Sequence, residues 1–304
     1  MLRSGSILAV LAVVAMLAAP AGAQDDAASP DWEKLLADKA DTVVSIKFVV
    51  QIKVLVQGQM RQEVERNQEV RGVLINDNGL VLTSNSNFGA GRHPNPMVEL
   101  QAGAPRDVKV LFGREEKEYE AQIVAKDTKI DLAFLQIMDL GDRKISSVSL
   151  ATENDPRVGQ ELFTVGRLAR GFDNTPMLGK LAVTAAIEKP RRMWAFSGAT
   201  GGPGLPAYDL TGKPVGIMVT QEGSQGVGGE RAGNMWVIIP LKSIQAQLKQ
   251  ADERAAKALE EAADKKEEAG EGEEKPADEK PADEQPADEQ PDDAPEKPEK
   301  PEGE

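Results

Sequence analysis

Apolar and polar residues alternate with a period of two over much of the chain, which is the pattern of β-strands with one buried face. The pattern is clearest at residues 42–56. Shorter aliphatic runs follow at 71–75, 80–84, 108–112, 119–124, 131–137, 162–166, 179–187, 215–219 and 235–239. Turns rich in Asn, Asp and Gly separate several of these runs. We therefore predict an all-β body in two halves, built as barrels or as a sandwich.

Helical periodicity is confined to two places. Residues 31–39 have a helical spacing of apolar residues behind a capping residue. From Pro240 the apolar residues recur about every 3.6 positions, which predicts a C-terminal helix. Beyond Ala251 the apolar stripe thins to alanine, so we expect the helix to leave the β body there and run into solvent. The polar, turn-rich residues 138–154 are interpreted as a connector between the two halves.

The two ends of the chain differ from the body. Residues 1–23 carry an early arginine, an apolar run and a small-residue site, which predict a signal peptide cleaved before Gln24. A retained membrane anchor is the alternative, but the run is shorter than the roughly 20 residues that a spanning helix needs. Residues 270–304 repeat Pro, Ala, Asp, Glu and Lys, which predicts a disordered acidic tail. The tail is either a solubilising spacer or a tether to basic surfaces or divalent ions.

The predicted organisation places one folded body between these ends. Its parts are a leader at 24–40, a double β-barrel domain at 41–250 with halves at about 41–140 and 155–250, and a charged helix extension at 251–269.

Charge and composition exclude several classes of function. The net charge is −14, and residues 251–304 hold 22 acidic and 8 basic residues, so the rest of the chain is balanced. A balanced body lacks the basic surface that nucleic acid requires, which excludes that partner. The chain has no cysteine, which excludes disulfides and thiolate chemistry. Neither the turn at 76–79 nor the Gly-rich stretch at 223–233 has the spacing of a calcium or phosphate loop, so we predict no metal and no cofactor.

The chemistry of the chain centres on residues 198–203, whose sequence is Gly-Ala-Thr-Gly-Gly-Pro. Glycines let the backbone take positive φ and turn tightly, which ordinary residues resist. Such a turn holds the Thr200 hydroxyl in the open, and neighbouring backbone N–H groups can converge on a developing oxyanion. This is the local structure that a nucleophile needs.

The loop resembles the nucleophile loop of trypsin-like serine proteases, particularly those of the HtrA type. Three other segments resemble the same family in the same order, so that the likeness spans most of residues 42–250. The four matching segments are 79–87, 127–135, 158–166 and 196–205. The resemblance implies two six-stranded antiparallel β-barrels of the chymotrypsin type, here followed by a C-terminal helix and the acidic tail. We expect no separate PDZ-like domain after the β body, because the helix and tail use the remaining residues, and this departs from the usual HtrA layout.

The resemblance places the three catalytic positions at Ser86, Asp131 and Thr200, and implies oxyanion donors on the backbone of Gly198 and Thr200. A triad needs a base that accepts the proton of the nucleophile, and the hydroxyl of Ser86 cannot do so near neutral pH. The threonine methyl group also crowds the line of attack. We therefore predict that no catalytic residue set is intact. Asp131 then needs other hydrogen-bond donors, for which Ser86 or Thr200 are candidates.

Three residues remain as alternative bases. His93 is the one histidine of the chain and lies in a loop of Gly and Pro close after Ser86. Lys126 and Lys129 are the lysines next to Asp131 in sequence. A solvated side chain is the more ordinary role for each.

The sequence therefore favours an exported pseudoprotease that binds an extended peptide or a protein partner without cleaving it. The first alternative is an active endopeptidase-like hydrolase that uses Thr200 with a non-standard base. The second is a structural envelope protein that acts through its helix and tail. The expected location is the periplasm or the exterior, with no transmembrane segment after signal cleavage; the oligomeric state stays open.

Overall fold

The structure is a computed structural model that describes residues 30–91, 95, 97–151, 154–221 and 235–270, without the side chains of 266–270. The predicted signal peptide, His93, the Gly-rich stretch at 223–233 and the acidic tail beyond Gly270 lie outside the described residues.

Thirteen strands and two α-helices are assigned in the described part of the chain. The first seven strands are β1 (Val43–Val56), β2 (Gln59–Leu74), β3 (Leu80–Ser84), β4 (Val98–Ala102), β5 (Arg106–Phe112), β6 (Glu118–Asp127) and β7 (Leu132–Ile137). The others are β8 (Glu161–Arg167), β9 (Pro176–Ile187), β10 (Met193–Gly198), β11 (Pro206–Tyr208), β12 (Pro214–Gln221) and β13 (Met235–Pro240). The helices are α1 (Trp32–Ala40) and α2 (Gln245–Gly270).

The strands form two antiparallel barrels of six strands each, which confirms the predicted fold. In the first barrel the order is β2-β3-β7-β6-β5-β1, and the pairing of β1 with β2 closes the ring, while β4 adds to the outer end of β1. In the second barrel the order β10-β13-β12-β11-β8-β9 closes on itself. Every second residue of β1 from Val44 to Ile52 is buried, as the period-two pattern requires.

The hairpin of β1 and β2 is longer than the sequence predicts. The pattern placed a strand only at 71–75, but β2 begins at Gln59 and pairs with β1 over its whole length. Residues 59–69 are mostly charged or amide residues, so they carry no period-two signal that sequence reasoning could use. The pairing instead follows from the two-residue turn Gln57-Gly58, where φ is +52° and +76°. Two positive φ angles match the twist of the flanking strands and set the register.

Two reciprocal arginines join the barrels beside the candidate site. Arg167 of β8 is buried and donates to the carbonyl oxygens of Ala40 at 2.6 Å and Val43 at 2.9 Å. Arg71 of β2 donates in the opposite direction, to the carbonyl oxygens of Leu168 at 2.7 Å and Arg167 at 3.3 Å. Each guanidinium therefore satisfies backbone groups of the other barrel, which fixes the cleft between them.

Both helices pack on the β body. Asp31 caps α1 by accepting from the Lys34 N–H, as the sequence predicts, and Trp32 meets Phe163 edge to face. In α2, Ala255 is buried in the core, so the expectation that the helix leaves the body after Ala251 is wrong. An alanine has a short side chain, and the helix backbone therefore lies close enough to the barrel to stay packed for another turn.

The body ends at residue 263, and the last turns of α2 belong to a second unit. Among the described helices, none is both long and apolar enough to span a bilayer.

Candidate functional site

Asp131 lies in the turn between β6 and β7. Its backbone is in the left-handed region, with φ of +59°, and 7% of its surface is exposed. A non-glycine residue in this conformation is uncommon, and aspartate tolerates it better than most residues. The turn thus directs a charged side chain inward, where it must find hydrogen-bond donors.

Three short hydrogen bonds and one longer hydroxyl contact surround the Asp131 carboxylate. The Ser86 N–H donates to Oδ1 at 2.6 Å, and the Ser84 hydroxyl donates to Oδ2 at 2.6 Å. The Thr220 N–H donates to Oδ2 at 2.7 Å, and the Ser86 hydroxyl lies 3.3 Å from the same oxygen. Hydrogen bonds to a carboxylate are about twice as strong as neutral ones, so these donors can hold a buried charge without a cation. Both carboxylate oxygens therefore accept hydrogen bonds from inside the protein.

Ser86 lies in a 3₁₀ turn, Asn85–Phe88, directly after β3. Its hydroxyl is 2.7 Å from the Ser84 hydroxyl and 3.3 Å from the Thr220 hydroxyl. Because the single proton of Ser84 goes to Asp131, Ser86 is the donor in its contact with Ser84. The chain of hydrogen bonds therefore runs from Ser86 to Ser84 to Asp131, and it ends on the carboxylate. We call Ser84, Ser86, Asp131 and Thr220 the Asp131 cluster.

The loop that holds Thr200 connects β10 to β11. Its glycines let the loop backbone pack directly against the backbone of neighbouring strands. A Cβ on Gly201 would lie 2.7 Å from the Cα of Gly166. A Cβ on Gly204 would lie 2.2 Å from the Ser84 nitrogen, and φ at Gly204 is +90°. These positions accept only glycine, because any side chain would collide with backbone atoms that cannot move aside. The close approach places the loop directly against the strand that ends at Ser84.

The Thr200 hydroxyl makes a single hydrogen bond within the described residues. Its Oγ1 accepts from the Gly202 N–H at 3.3 Å. Gly198 ends β10 opposite Leu181, and the Ala199 N–H donates to the Lys180 carbonyl at 3.2 Å. Thr200 is thus not one of the donors to Asp131. Of the two candidates from the sequence, Ser86 fills that role, and the oxyanion role of Gly198 and Thr200 stays a prediction.

Asn87 connects the Thr200 loop to the first barrel. Its Nδ2 donates to the Thr83 hydroxyl at 2.9 Å and to the Pro203 carbonyl at 3.4 Å. Thr83 in turn donates to the carbonyl of Arg71 at 2.7 Å. The edge of β2 and the Thr200 loop are therefore neighbours across a short polar bridge.

Comparison with known proteins agrees with this geometry. Residues 71–217, which include Ser86, Asp131 and Thr200, match the family described as trypsin-like peptidase domain. This part of the chain is a trypsin-like peptidase domain. A similar protein is "Protease Do-like 5, chloroplastic" of Arabidopsis thaliana, 34% identical over 105 residues. The match covers 30% of this chain and 31% of that protein, so the chain spans less than a third of the relative's length.

Neither lysine considered as a base contacts Thr200 in the trypsin-like domain. Lys126 extends over the ring of Phe88, with Nζ 5.1 Å from the ring centroid, and burial lowers the pKa of Lys126. Lys129 lies in the β6–β7 turn, where its N–H donates to Asp127. Among the described residues, the Thr200 oxygen has no side chain as a proton acceptor.

Two residues of the Asp131 cluster, Ser84 and Thr220, were not predicted from the sequence, because a lone Ser or Thr in a strand has no distinctive sequence signal.

Proposed function

We propose that the trypsin-like domain is a catalytically inactive binding module that holds an extended peptide or protein segment without cleaving it. The observation that carries this proposal is the Asp131 cluster. In a working triad the carboxylate orients an imidazole, which takes the proton of the nucleophile. Here a serine hydroxyl occupies the base position; Ser86 donates its proton to Ser84, and Ser84 donates its own to Asp131. The cluster contains no imidazole or amine that could take the proton of Thr200.

The expected loss of kcat supports inactivity rather than slow catalysis. Loss of the nucleophile or base of a triad lowers kcat by about 10⁶-fold in proteases of this mechanism. From a typical kcat of about 10 per second, the remainder is about one turnover per day. Proteolysis at that rate has no use in a cell, so the domain must act through binding.

Strand addition is the binding mode that the fold supports best. An extended peptide can pair with an exposed strand edge through main-chain hydrogen bonds, which need no triad. The packing of Gly204 against Ser84 and the hydrogen bonds of Arg71 and Arg167 hold the two barrels together. The site can therefore remain a receptor for a peptide although its chemistry is absent.

The experiment uses unfolded casein as a generic extended substrate. Binding is measured by fluorescence anisotropy of labelled casein, and cleavage is measured on gels from the same mixture over a day. We expect saturable binding with no cleavage above the level of Thr200→Ala. Cleavage that Thr200→Ala abolishes would overturn the proposal.

One observation favours the alternative of an active hydrolase. A lysine base needs a lowered pKa, and burial lowers the pKa of Lys126. The Lys126 ammonium lies over Phe88, however, and not beside Thr200. If Lys126 were the base, Lys126→Met would abolish any Thr200-dependent cleavage, whereas we expect no such cleavage to be present.

Export is part of the proposal and rests on the pattern of residues 1–23. The name of the relative describes that protein as chloroplastic, and this description applies to the relative alone. Mass measurement of the mature protein from a cell that secretes it tests the point. We expect an N-terminus at Gln24, and an N-terminus at Met1 would contradict export by cleavage.

A further inference from the structure

A pocket at the junction of the two barrels is lined by more cationic than acidic side chains. Its volume is about 580 Å³, which lies in the range of small-molecule sites. The charged residues of the lining are Asp41, Arg114, Glu115, Arg143, Lys144 and Arg167. Four cations and two carboxylates give this lining a formal charge of +2. We call it the Arg167 pocket.

Arg167 is the buried cation of the pocket, with 3% of its side chain exposed. Its guanidinium donates to three backbone carbonyls, from Nε to Val43, from Nη1 to Asn174 and from Nη2 to Ala40. A carbonyl oxygen carries only a partial negative charge. Because a guanidinium has five N–H groups, Nη1 and Nη2 each keep one N–H without an acceptor among the described residues.

The positive charge of Arg167 is only weakly balanced by the described residues. Asp41 lies 3.8 Å from Nη2, which is beyond hydrogen-bond distance, and its side chain is 84% exposed, so water screens the pair. Burial lowers the pKa of Arg167, Asp41 opposes that shift, and the positive charges of Arg71 and Arg114 add to it. A buried charge without a close counterion is costly, and a bound anion would offset that cost.

Gly113 leaves one side of this guanidinium open to the pocket. A Cβ at Gly113 would lie 3.5 Å from Nη2 and 3.7 Å from Nη1 of Arg167, which is van der Waals contact. A side chain at this position would therefore cover the Nη1–Nη2 side of Arg167, whereas glycine leaves it accessible. Guanidinium groups bind oxyanions through paired N–H groups, so this is the side that an anion needs.

Two further cations lie at the exposed side of the pocket. Arg114 pairs with Asp173 at 2.9 Å, but both side chains are more than half exposed, and such a pair is weak in water. Lys144 is exposed and has no ion pair among the described residues. Arg143 differs, because both of its Nη atoms donate to Glu115, which balances its charge. Arg114 and Lys144 are therefore the cations that remain for a ligand beside Arg167.

A phosphate group suits this arrangement better than other ligands. It carries up to two negative charges, and its oxygens point in several directions, so it can accept from donors on different stretches of chain. A carboxylate is planar and carries one charge, which a single guanidinium satisfies. A cation is repelled by the lining. Because Arg167 is recessed, a small ligand reaches it more easily than a folded protein surface does.

We propose that the Arg167 pocket binds a phosphate group, as inorganic phosphate or on a small soluble molecule, with Arg167 at its base and Arg114 and Lys144 at its rim. The inference goes beyond the proposed function, because the pocket shares no residue with the Asp131 cluster or the Thr200 loop. Arg167 also holds backbone carbonyls of the first barrel, so a phosphate bound there should stabilise the folded chain.

Isothermal titration calorimetry of the full chain with inorganic phosphate tests the site. The pH is about 8, where the phosphate is doubly charged, and sodium chloride holds the ionic strength at about 0.15 M. We expect saturable binding and a melting temperature that rises with phosphate concentration. Acetate at the same ionic strength is the control ligand, and we expect it to bind at least about tenfold more weakly.

One variant blocks the pocket without changing its charge. Gly113→Ala places a Cβ against Arg167, so we expect the affinity for phosphate to fall at least about tenfold. Gly141→Ala is the matched control, because φ is +55° there and +53° at Gly113, but no atom lies within 4 Å of a Cβ at Gly141. The control should change affinity less than about twofold. Phosphate also stabilises proteins without specific binding, and that effect should be equal in both variants.

A second variant removes charge from the rim. Arg114→Gln with Lys144→Gln should weaken phosphate binding about tenfold. Arg61→Gln with Lys213→Gln is the matched control, because it removes the same two residue types at exposed positions outside the pocket, and we expect less than about a twofold change. Far-UV circular dichroism and the melting temperature of each variant establish that it is folded.

The comparison of variants with controls decides the proposal. Phosphate binding that Gly113→Ala and the rim variant weaken, while their controls do not, supports it. Absence of saturable binding, equal affinity for acetate, or an equal effect of a variant and its control overturns it.

Two further ligands identify the source of the phosphate group. Binding of glycerol 3-phosphate that Gly113→Ala weakens supports a small soluble ligand. Phosphatidylcholine vesicles with and without phosphatidic acid test a lipid headgroup instead. Sedimentation of the chain with the phosphatidic acid vesicles alone, abolished by Gly113→Ala, would overturn the assignment to a soluble ligand.

Discussion

The Asp131 cluster and the Thr200 loop lie against each other in the cleft but are built in opposite ways. In the cluster, side chains and backbone N–H groups satisfy one another, so that the carboxylate has three donors and each of its oxygens accepts at least one hydrogen bond. In the loop, the backbone is fixed by glycine packing, while the Thr200 hydroxyl has a single weak contact at 3.3 Å. The comparison teaches that backbone packing can hold the loop in place without any hydrogen bond from the cluster to the Thr200 hydroxyl.

The largest expected effect comes from supplying a histidine at the base position. Ser86→His together with Thr200→Ser restores the base and the usual nucleophile beside an Asp131 that already lies in place. We expect casein cleavage at least about 100-fold above that of the native chain, because a positioned base contributes 10²-fold or more. Each single variant should stay at background, since triad residues act as a unit. A folded double variant without activity would contradict the assignment of Ser86 and Thr200 to the triad positions.

Substitutions at two glycines test how the Thr200 loop is held in place. Gly204→Ala forces a Cβ against the Ser84 nitrogen at positive φ, so we expect a loss of about 3–5 kcal/mol in the free energy of unfolding. Gly202→Ala is the matched control, because φ there is +123° but the space around a Cβ is open. Its loss should be about 1–2 kcal/mol. Urea unfolding measures both, and equal losses would show that contact with Ser84 does not hold the loop.

The cluster is tested by removing its charge. Asp131→Asn replaces an acceptor oxygen with an amide that faces donors, so we expect a loss of about 2–3 kcal/mol in unfolding free energy. Asp38→Asn, at an exposed position on α1, should cost less than about 0.5 kcal/mol. Chemical unfolding at neutral pH compares them. Matching small losses would mean that the carboxylate is not stabilised by its donors.

The smallest expected change in the free energy of unfolding comes from Glu118, on the outer face of the first barrel and away from both regions. Glu118 accepts from Lys47 and Lys109 at 2.8 and 2.9 Å, and these hydrogen bonds lower the pKa of Glu118 from 4.5 to about 2. Because its pKa is lower in the folded state, the ionised group stabilises the fold above about pH 4.5, and that stabilisation is lost as the pH falls toward 2.

We therefore expect Glu118→Gln to lose less than about 1 kcal/mol at neutral pH, because the group is exposed and screened. The difference from the native chain should vanish near pH 2. Unfolding curves at the two pH values provide the measurement, and a difference that persists in acid would contradict the ion-pair origin.

The fold was largely predictable from the sequence because two kinds of signal agreed. Strands with one buried face, such as β1 and β3, follow the period-two pattern, and the loop at 198–203 resembles a known family. The outer half of β2 gave no such signal, since both of its faces are polar and its pairing depends on β1 and the turn at Gln57-Gly58. The pairing register with β1 and the geometry of the turn determine this part of the strand, and composition does not reveal either of them.

The candidate site was predictable only in part. Asp131 and Ser86 stand at positions that a motif marks, and the structure brings them together. Ser84 and Thr220 became visible only in three dimensions, because a hydroxyl or a backbone N–H acquires its role from the neighbour that it meets across 47 or 89 positions of the chain. The prediction that a base is missing rests on Ser86 alone, whereas the chain of hydrogen bonds from Ser86 through Ser84 to Asp131 could not be read from the sequence.

The central claim is that Thr200 has no proton acceptor. Labelling with a fluorophosphonate probe tests it most directly, because the probe reacts only with an activated hydroxyl nucleophile. The account predicts equal, background labelling of the native chain and Thr200→Ala, with strong labelling of the Ser86→His, Thr200→Ser double variant. Labelling of the native chain that Thr200→Ala removes would contradict it.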